Sequence, residues 1–381
     1  MKLVPLPPRK AALRESRRNM VLSSHFAMER NLRGLPFPDQ ADNDQREEVL
    51  ARVAAAVEQL PGMLHPVPLG NDPADKENLW MEVFPQEPET PETGPGTMLY
   101  LGEAFGVRYV IGVNQGSHVK IWATTKLAVW EAVSMVLDRL SALLGNSLEW
   151  AFRPDLGYLT ADPDRLGTGL GIWVLMHLPG LGMRGQIQAT ARGLSELGFG
   201  LLAAHTEAAP YRIGPSADSE EMRYGAPGAL YFLHNLRSGG RGFSEEMLLN
   251  VMHTQTLEML GHEWRARLKA IEDDPREAVD RVSRSAALLQ NAYLLTYTEA
   301  MDAVSALLFG AETGILPVRR PEALAPLHLD LLPYRLRRSF GGTDVSHRLR
   351  AARATVARAA LQAAGPPARP RATHSTDKDT P

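Results

Sequence analysis

The chain has no cysteine, and that single absence removes disulfide frameworks, thiolate zinc sites and cysteine nucleophiles together. Long apolar runs are missing too. The longest stretches, 171–181 and 199–204, fall short of the roughly 20 residues that a membrane-spanning helix needs. Neither sign of charge is in excess: 41 Lys plus Arg stand against 44 Asp plus Glu, for a net charge of −3. No global field is left to hold nucleic acid or an anionic membrane. The first residues carry Lys2, Pro5, Pro7, Pro8, Arg9 and Lys10 without the apolar core of a secretory signal. The reading is a cytoplasmic protein with neither a membrane nor a nucleic acid as partner.

What is present is ordinary globular material. With 381 residues, 44% hydrophobic and 22% charged, the chain can build two or three cores, and wholesale disorder, collagen and coiled coil are excluded. Residues 1–19 are Pro-rich and basic, and 361–381 lack apolar periodicity; both read as mobile tails. Arg9, Lys10, Arg14, Arg17 and Arg18 have no interleaved aromatics, which favours a solvated tail over RNA contact. Val49, Leu50, Val53, Val57 and Leu60 recur on one face behind Asp44 and Glu47. That spacing predicts a capped amphipathic helix over 44–60 within a small helical N-terminal part, 20–84. Pro, Glu and Thr alternate in the stretch that follows, so 85–97 reads as a linker before a larger domain, 98–360.

In that domain the pattern predicts strands over 107–113 and 119–122 around the turn Asn114-Gln115-Gly116-Ser117. A helix over 126–144 ends at Gly145-Asn146. Strands over 171–178 and 199–204 flank a helix over 186–197, and two long helices follow over 244–273 and 277–310. There is no internal repeat.

Gly180-Leu-Gly182-Met-Arg-Gly185 spells G-x-G-x-x-G, with Glu207 further on, the arrangement of a dinucleotide-binding turn. Against it, Pro179 sits at the strand end and no alternating βα units follow. A plain glycine-rich turn is the better reading. His253 and His262 miss the i, i+4 spacing of a zinc pair on a helix.

A more specific signal comes from ordered segments. Val21-Leu-Ser-Ser-His-Phe-Ala-Met-Glu-Arg30-Asn-Leu-Arg-Gly-Leu-Pro-Phe-Pro38 is set beside V-L-S-S-R-I-R-L-A-R-N-L-x-G-x-P-F-P. Gly157-Tyr-Leu-Thr-Ala-Asp-Pro-Asp-Arg-Leu-Gly-Thr-Gly-Leu170, continued by His177-Leu-Pro, is set beside G-Y-L-T-x-C-P-T-N-x-G-T-G-L-R-A-S-V-M-x-H-L-P. Asn114-Gln-Gly-Ser-His118 stands where N-E-E-D-H would be, and Ser244-Glu-Glu246, Asp280-Arg-Val-Ser-Arg284 and Gln290-Asn-Ala292 continue in order. Over about 20–340 the chain thus resembles the ATP:guanidino phosphotransferases, and within them the bacterial protein-arginine kinases. The resemblance implies an α+β fold: a small helical N-terminal part and a larger domain whose antiparallel sheet is flanked by helices.

Transferring a γ-phosphoryl group to a guanidinium demands cations around the triphosphate, carboxylates that orient the acceptor and take its proton, and in-line positioning. The resemblance implies nucleotide contacts at Ser23, Ser24, His25, Ala27, Lys120, Gly171 and Arg212, and catalytic positions at Gln115, Gly116, His118 and Asp162. The family's arginines fall on His25, Ala27, Gly171 and Lys120, and its two glutamates on Gln115 and Gly116. A bidentate guanidinium clamp is not replaced by glycine or alanine, and lysine offers only a point charge. Asn114, His118, Arg30, Thr168, Gly167 and Gly169 survive, with structural readings available: turn glycines, a capped strand end, a surface ion pair.

The expectation is a degenerate pseudokinase that binds ATP with magnesium weakly if at all. The alternative is an active enzyme with a rebuilt site, using Asp162 or Glu220-Glu221 as base and Lys120, Arg165 and Arg212 around phosphate. The family further implies a protein partner in a Clp-type proteolysis or arginine-phosphorylation system, and a homodimer is compatible with the reading. Leu349-Arg350-Ala-Ala-Arg353-Ala354 stands where relatives carry R-D-x-x-R-A beside a phosphoarginine pocket. The expected interaction surface is therefore the basic segment with Arg337, Arg338, Arg350 and Arg353.

Overall fold

The computed structural model describes residues 20–61, 65–67, 92, 94–125, 130–204, 226–239, 243–316, 320–333, 335–336 and 345–365. The chain divides into two compact units, one over Arg17–Glu263 and the other built from Trp264 onward.

The first unit is organised on an eight-stranded sheet. Its strands are β1 (Val21–Arg30), β2 (His65–Val67), β3 (Met98–Ala104), β4 (Val107–Gln115), β5 (Ser117–Thr125), β8 (Leu170–His177), β9 (Phe199–Ala203) and β10 (Leu230–Asn235). The order is β2-β3-β4-β5-β1-β8-β10-β9, and each pairing is antiparallel. The strand readings over 107–113 and 171–178 thus fall in one sheet. A two-stranded ribbon, β6 (Phe152–Arg153) with β7 (Gly157–Tyr158), stands apart from it.

β1 lies between β5 and β8, so the segment read as the start of a helical N-terminal part is a central strand. Its residues are buried on both faces after the first three, which hides the period-two alternation that betrays a half-exposed strand. The face carrying Ser24, Phe26 and Met28 packs toward helix α2 (Trp130–Gly145), where the Trp130 indole meets the Phe26 ring edge-on at 5.4 Å. Val133, Val136, Leu137, Leu140 and Leu144 are buried in α2, at the spacing of one helical face.

Helix α1 (Asn43–Val57) starts earlier than expected. Its capping box is Asp42 with Gln45, not Asp44 with Glu47. Glu47 is engaged elsewhere, its carboxylate accepting the Gly96 N–H at 2.8 Å.

The antiparallel sheet rules out the doubly wound dinucleotide fold. Gly180–Gly185 instead spans a five-residue helix, α3 (Pro179–Met183), and the turn before α4 (Ile187–Glu196). The N–H groups of Gly180 and Leu181 are donated to the buried Glu263 carboxylate at 2.8 and 2.9 Å. A protein side chain occupies the amides that a phosphate would use.

Helix α5 (Glu245–Asp273) carries the chain from the first unit into the second. There, the single helix expected over 277–310 is two: α6 (Pro275–Asn291) and α7 (Tyr297–Thr313). The break follows from Thr296, whose hydroxyl caps the Glu299 N–H while the Glu299 carboxylate returns to Thr296, a second capping box. A short helix, α8 (Leu327–Asp330), precedes α9 (Val345–Ala364); α9 runs past residue 360, so the first residues of the expected tail are helical. A buried Arg267–Glu312 ion pair lies inside this unit.

Candidate functional site

Alternation along β1 sends His25, Ala27 and Glu29 to the sheet face opposite Phe26. Register then sets their neighbours. His25, Ala27 and Glu29 lie beside Thr124, Trp122 and Lys120 of β5, and His25 and Ala27 beside Trp173 and Gly171 of β8. His25, Ala27, Lys120 and Gly171, remote in sequence, therefore share one patch of sheet. Ser24 does not: it points to the other face and accepts the Trp130 Nε1–H at 2.9 Å, which removes it from the expected nucleotide contacts. Ser23 Oγ sits 3.0 Å from His25 Nε2, and Thr124 Oγ1 sits 3.2 Å from His25 Nδ1. Both imidazole nitrogens are thus engaged by neighbouring hydroxyls, and the ring is only 1% exposed.

Two tryptophans occupy this face. A Cβ placed on Gly171 would lie 2.4 Å from the Trp173 indole, and one on Gly112 would lie 2.4 Å from the Trp122 indole. Each indole therefore lies down over a glycine. Each also carries a cation: Arg165 lies 4.8 Å from the Trp173 ring centre, and Lys120 Nζ 5.3 Å from that of Trp122. Each cation in turn has a carboxylate close by. Glu29 Oε1 is 3.6 Å from Lys120 Nζ, and Asp162 Oδ2 is 3.9 Å from Arg165 Nε. The pairs balance in formal charge. His234, opposite Trp173 across the strands, adds nothing at neutral pH. Burial, helped by the Arg165 charge and opposed by the Asn235 carbonyl, pushes its pKa down to about 4.

At the β4–β5 hairpin, Asn114 and Gly116 take left-handed backbone conformations, with φ of 53° and 75°. Asn114 Nδ2 donates to the Gly96 and Arg46 carbonyls at 2.8 and 3.0 Å. Gln115 turns its amide onto the backbone of Glu92, accepting the N–H at 2.7 Å and donating to the carbonyl at 3.0 Å. A glutamate could not make the second bond. His118 serves the backbone as well: Nδ1 accepts the Leu32 N–H at 2.9 Å, which leaves Nε2–H to donate to the Pro36 carbonyl at 2.8 Å. Burial lowers its pKa, against the opposing pull of Pro36.

Asp162 caps the turn at 163–165 by accepting the Asp164 N–H at 2.9 Å, and its side chain is 52% exposed. Among the described residues, its link to the sheet face runs through Arg165. Arg30 is not in a surface ion pair. It is buried, donates to Ser141, to the Glu29 and Thr168 carbonyls and to Glu245 at 2.8–3.1 Å, and covers the Tyr158 ring at 3.5 Å. Thr168 bonds the Ser238 carbonyl, and Gly167 and Gly169 adopt positive φ, in keeping with their structural reading.

The C-terminal arginines separate. Arg353 is 3% exposed, donates to the Leu331 carbonyl at 3.3 Å and lies 5.6 Å from the Tyr297 ring centre. It belongs to the interior of α9's packing and is no part of an exposed patch. Arg350 is half-buried. Arg212, Glu220, Glu221, Arg337 and Arg338 lie outside the described residues. Sequence reasoning missed Glu29, Trp122 and Trp173 as members of the face. Glu29 had a signal, since it stands where the compared motif has alanine.

An antiparallel sheet of this order, with helices on its flank, defines a phosphagen-kinase-like fold. It is shared with the duplicated taurocyamine kinase from Schistosoma mansoni, at a TM-score of 0.54 and 20% identity over 77% of this chain and 39% of that one. This chain spans about two fifths of that structure's length. Residues 103–211 match the catalytic-domain model of the ATP:guanido phosphotransferases, and 275–372 match the C-terminal-domain model of the protein-arginine kinase McsB. Two curated relatives named protein-arginine kinase resemble it over most of their length. That of Halothermothrix orenii is 26% identical over 85% of this chain and 88% of its own, and that of Moorella thermoacetica 27% over 85% and 88%. The chain belongs to the ATP:guanido phosphotransferase superfamily, within the protein-arginine kinase group.

Proposed function

We propose that this chain is a catalytically degenerate protein-arginine kinase homologue, a pseudokinase that acts by binding. The observation that carries this reading is the sheet face itself. Where guanidinium groups are needed to hold a triphosphate, Trp173 covers Gly171, Ala27 offers a methyl group, and His25 is engaged by Ser23 and Thr124. Among the described residues, the cations on this face, Lys120 and Arg165, each lie beside a carboxylate. These residues do not fit a magnesium-bound triphosphate, because an incoming polyanion would have to displace both acidic partners. The acceptor side is no better supplied: Gln115 is committed to Glu92, and Gly116 has no side chain. Losing one such charged group costs about 10²-fold to 10³-fold in rate, and here several are lost together.

The test is direct. Purified chain incubated with labelled magnesium-ATP and an arginine-rich protein should yield no acid-labile phosphate, and titration calorimetry should give magnesium-ATP binding weaker than millimolar. Acid-labile protein phosphate that disappears in Asp162→Ala would overturn the reading in favour of a rebuilt active site. The partner class we propose is a protein of an arginine-phosphorylation or Clp-type proteolysis system.

A further inference from the structure

Glu29 is the one carboxylate of β1, and it lies directly across the strands from Lys120. Its two oxygens have different jobs. Oε1 faces Lys120 Nζ at 3.6 Å, while Oε2 accepts the Ser117 hydroxyl proton at 2.9 Å; that hydroxyl itself accepts from Asn31 Nδ2 at 3.2 Å. The carboxylate is therefore positioned from behind, by Ser117 and Asn31, and not merely by attraction to the lysine. Both side chains of the pair are only 10% exposed, so solvent screens them little.

We propose that Glu29 is the specificity-determining residue that excludes polyphosphate from this face: a built-in counter-ion holding the ground that an anionic ligand would take beside Lys120. The inference rests on the degenerate reading above and goes further, because it names one side chain whose neutralisation restores affinity. Two negative groups cannot share Lys120 at this distance without strong repulsion. A polyphosphate approaching Lys120 thus meets a fixed negative charge of its own sign. Removing that charge leaves the lysine, its contact with Trp122 and the sheet register in place.

The experiment uses the full chain with inorganic tripolyphosphate as probe, read by titration calorimetry and by the shift in melting temperature. Glu29→Gln keeps the length of the side chain and an acceptor for Ser117. Glu29→Ala installs the residue found in the compared motif. Both should bind the probe at least about tenfold more tightly than wild type, and Lys120→Met added to Glu29→Gln should abolish the gain. A folded Glu29→Gln that binds no more tightly, or a gain that survives loss of Lys120, overturns the proposal. Failure of both single variants to fold would also overturn it, by showing that the carboxylate serves the sheet instead. Tight magnesium-ATP binding by the wild type would sink the degenerate reading separately.

Discussion

Gln115 stands where the compared motif has glutamate, and its side chain serves the backbone. Its amide matches both the N–H and the carbonyl of Glu92, a pairing open only to a side chain that donates and accepts. Gln115→Glu should therefore lower stability by about 1–3 kcal/mol, because a carboxylate would face the Glu92 carbonyl with no proton to offer; urea unfolding checks this. Gly171→Arg should cost a similar amount, about 1–3 kcal/mol, since even its Cβ would collide with the Trp173 indole. Gly171→Arg combined with Trp173→Leu should then lose less than the sum of the two single changes. His234 adds a pH dependence. Its folded pKa of about 4 lies below the usual 6.5, so the unfolded chain takes up the proton first, and stability should fall as pH drops from about 6.5 toward 4. His234→Phe should flatten that part of the profile of melting temperature against pH.

At the scale of elements, capping decided the boundaries that periodicity left open. Apolar spacing located α2 and α4 to within a residue or so where they are described, but it ran straight through the α6–α7 break, which the Thr296 to Glu299 box creates. The α3 turn carries a sharper lesson. Its glycine pattern matches a dinucleotide fingerprint, yet its amides already serve Glu263. Glu263→Ala would strand two buried N–H groups and should cost about 3 kcal/mol, while wild type should show no binding of NAD by calorimetry. Loss of stability without any gain in NAD affinity is the expected pair of results.

For the molecule as a whole, the motif order was enough to read the antiparallel α+β architecture, and composition was enough to expect no membrane-spanning helix; none of the described helices is long and apolar enough to be one. The expected basic surface fared less well, because Arg353 turns inward onto Tyr297. If the remaining C-terminal arginines recruit a protein partner, charge reversal at Arg337, Arg338 and Arg350 should abolish its co-purification at unchanged melting temperature. Retention of the same partners would assign recruitment to another surface.

The residue types at the motif positions are local facts, and reading them sufficed to see that arginines and glutamates of the compared motifs are absent from those positions. What took their place depended on tertiary structure. Glu29 meets Lys120, and Trp173 comes to lie over Gly171, only because β1 is inserted between β5 and β8 in one register. A shift of one residue would send all of these side chains to the opposite face. Burial decided the rest: a carboxylate beside a lysine matters little in water and a great deal on a covered sheet face, and how far a face is covered is set by segments distant in the chain.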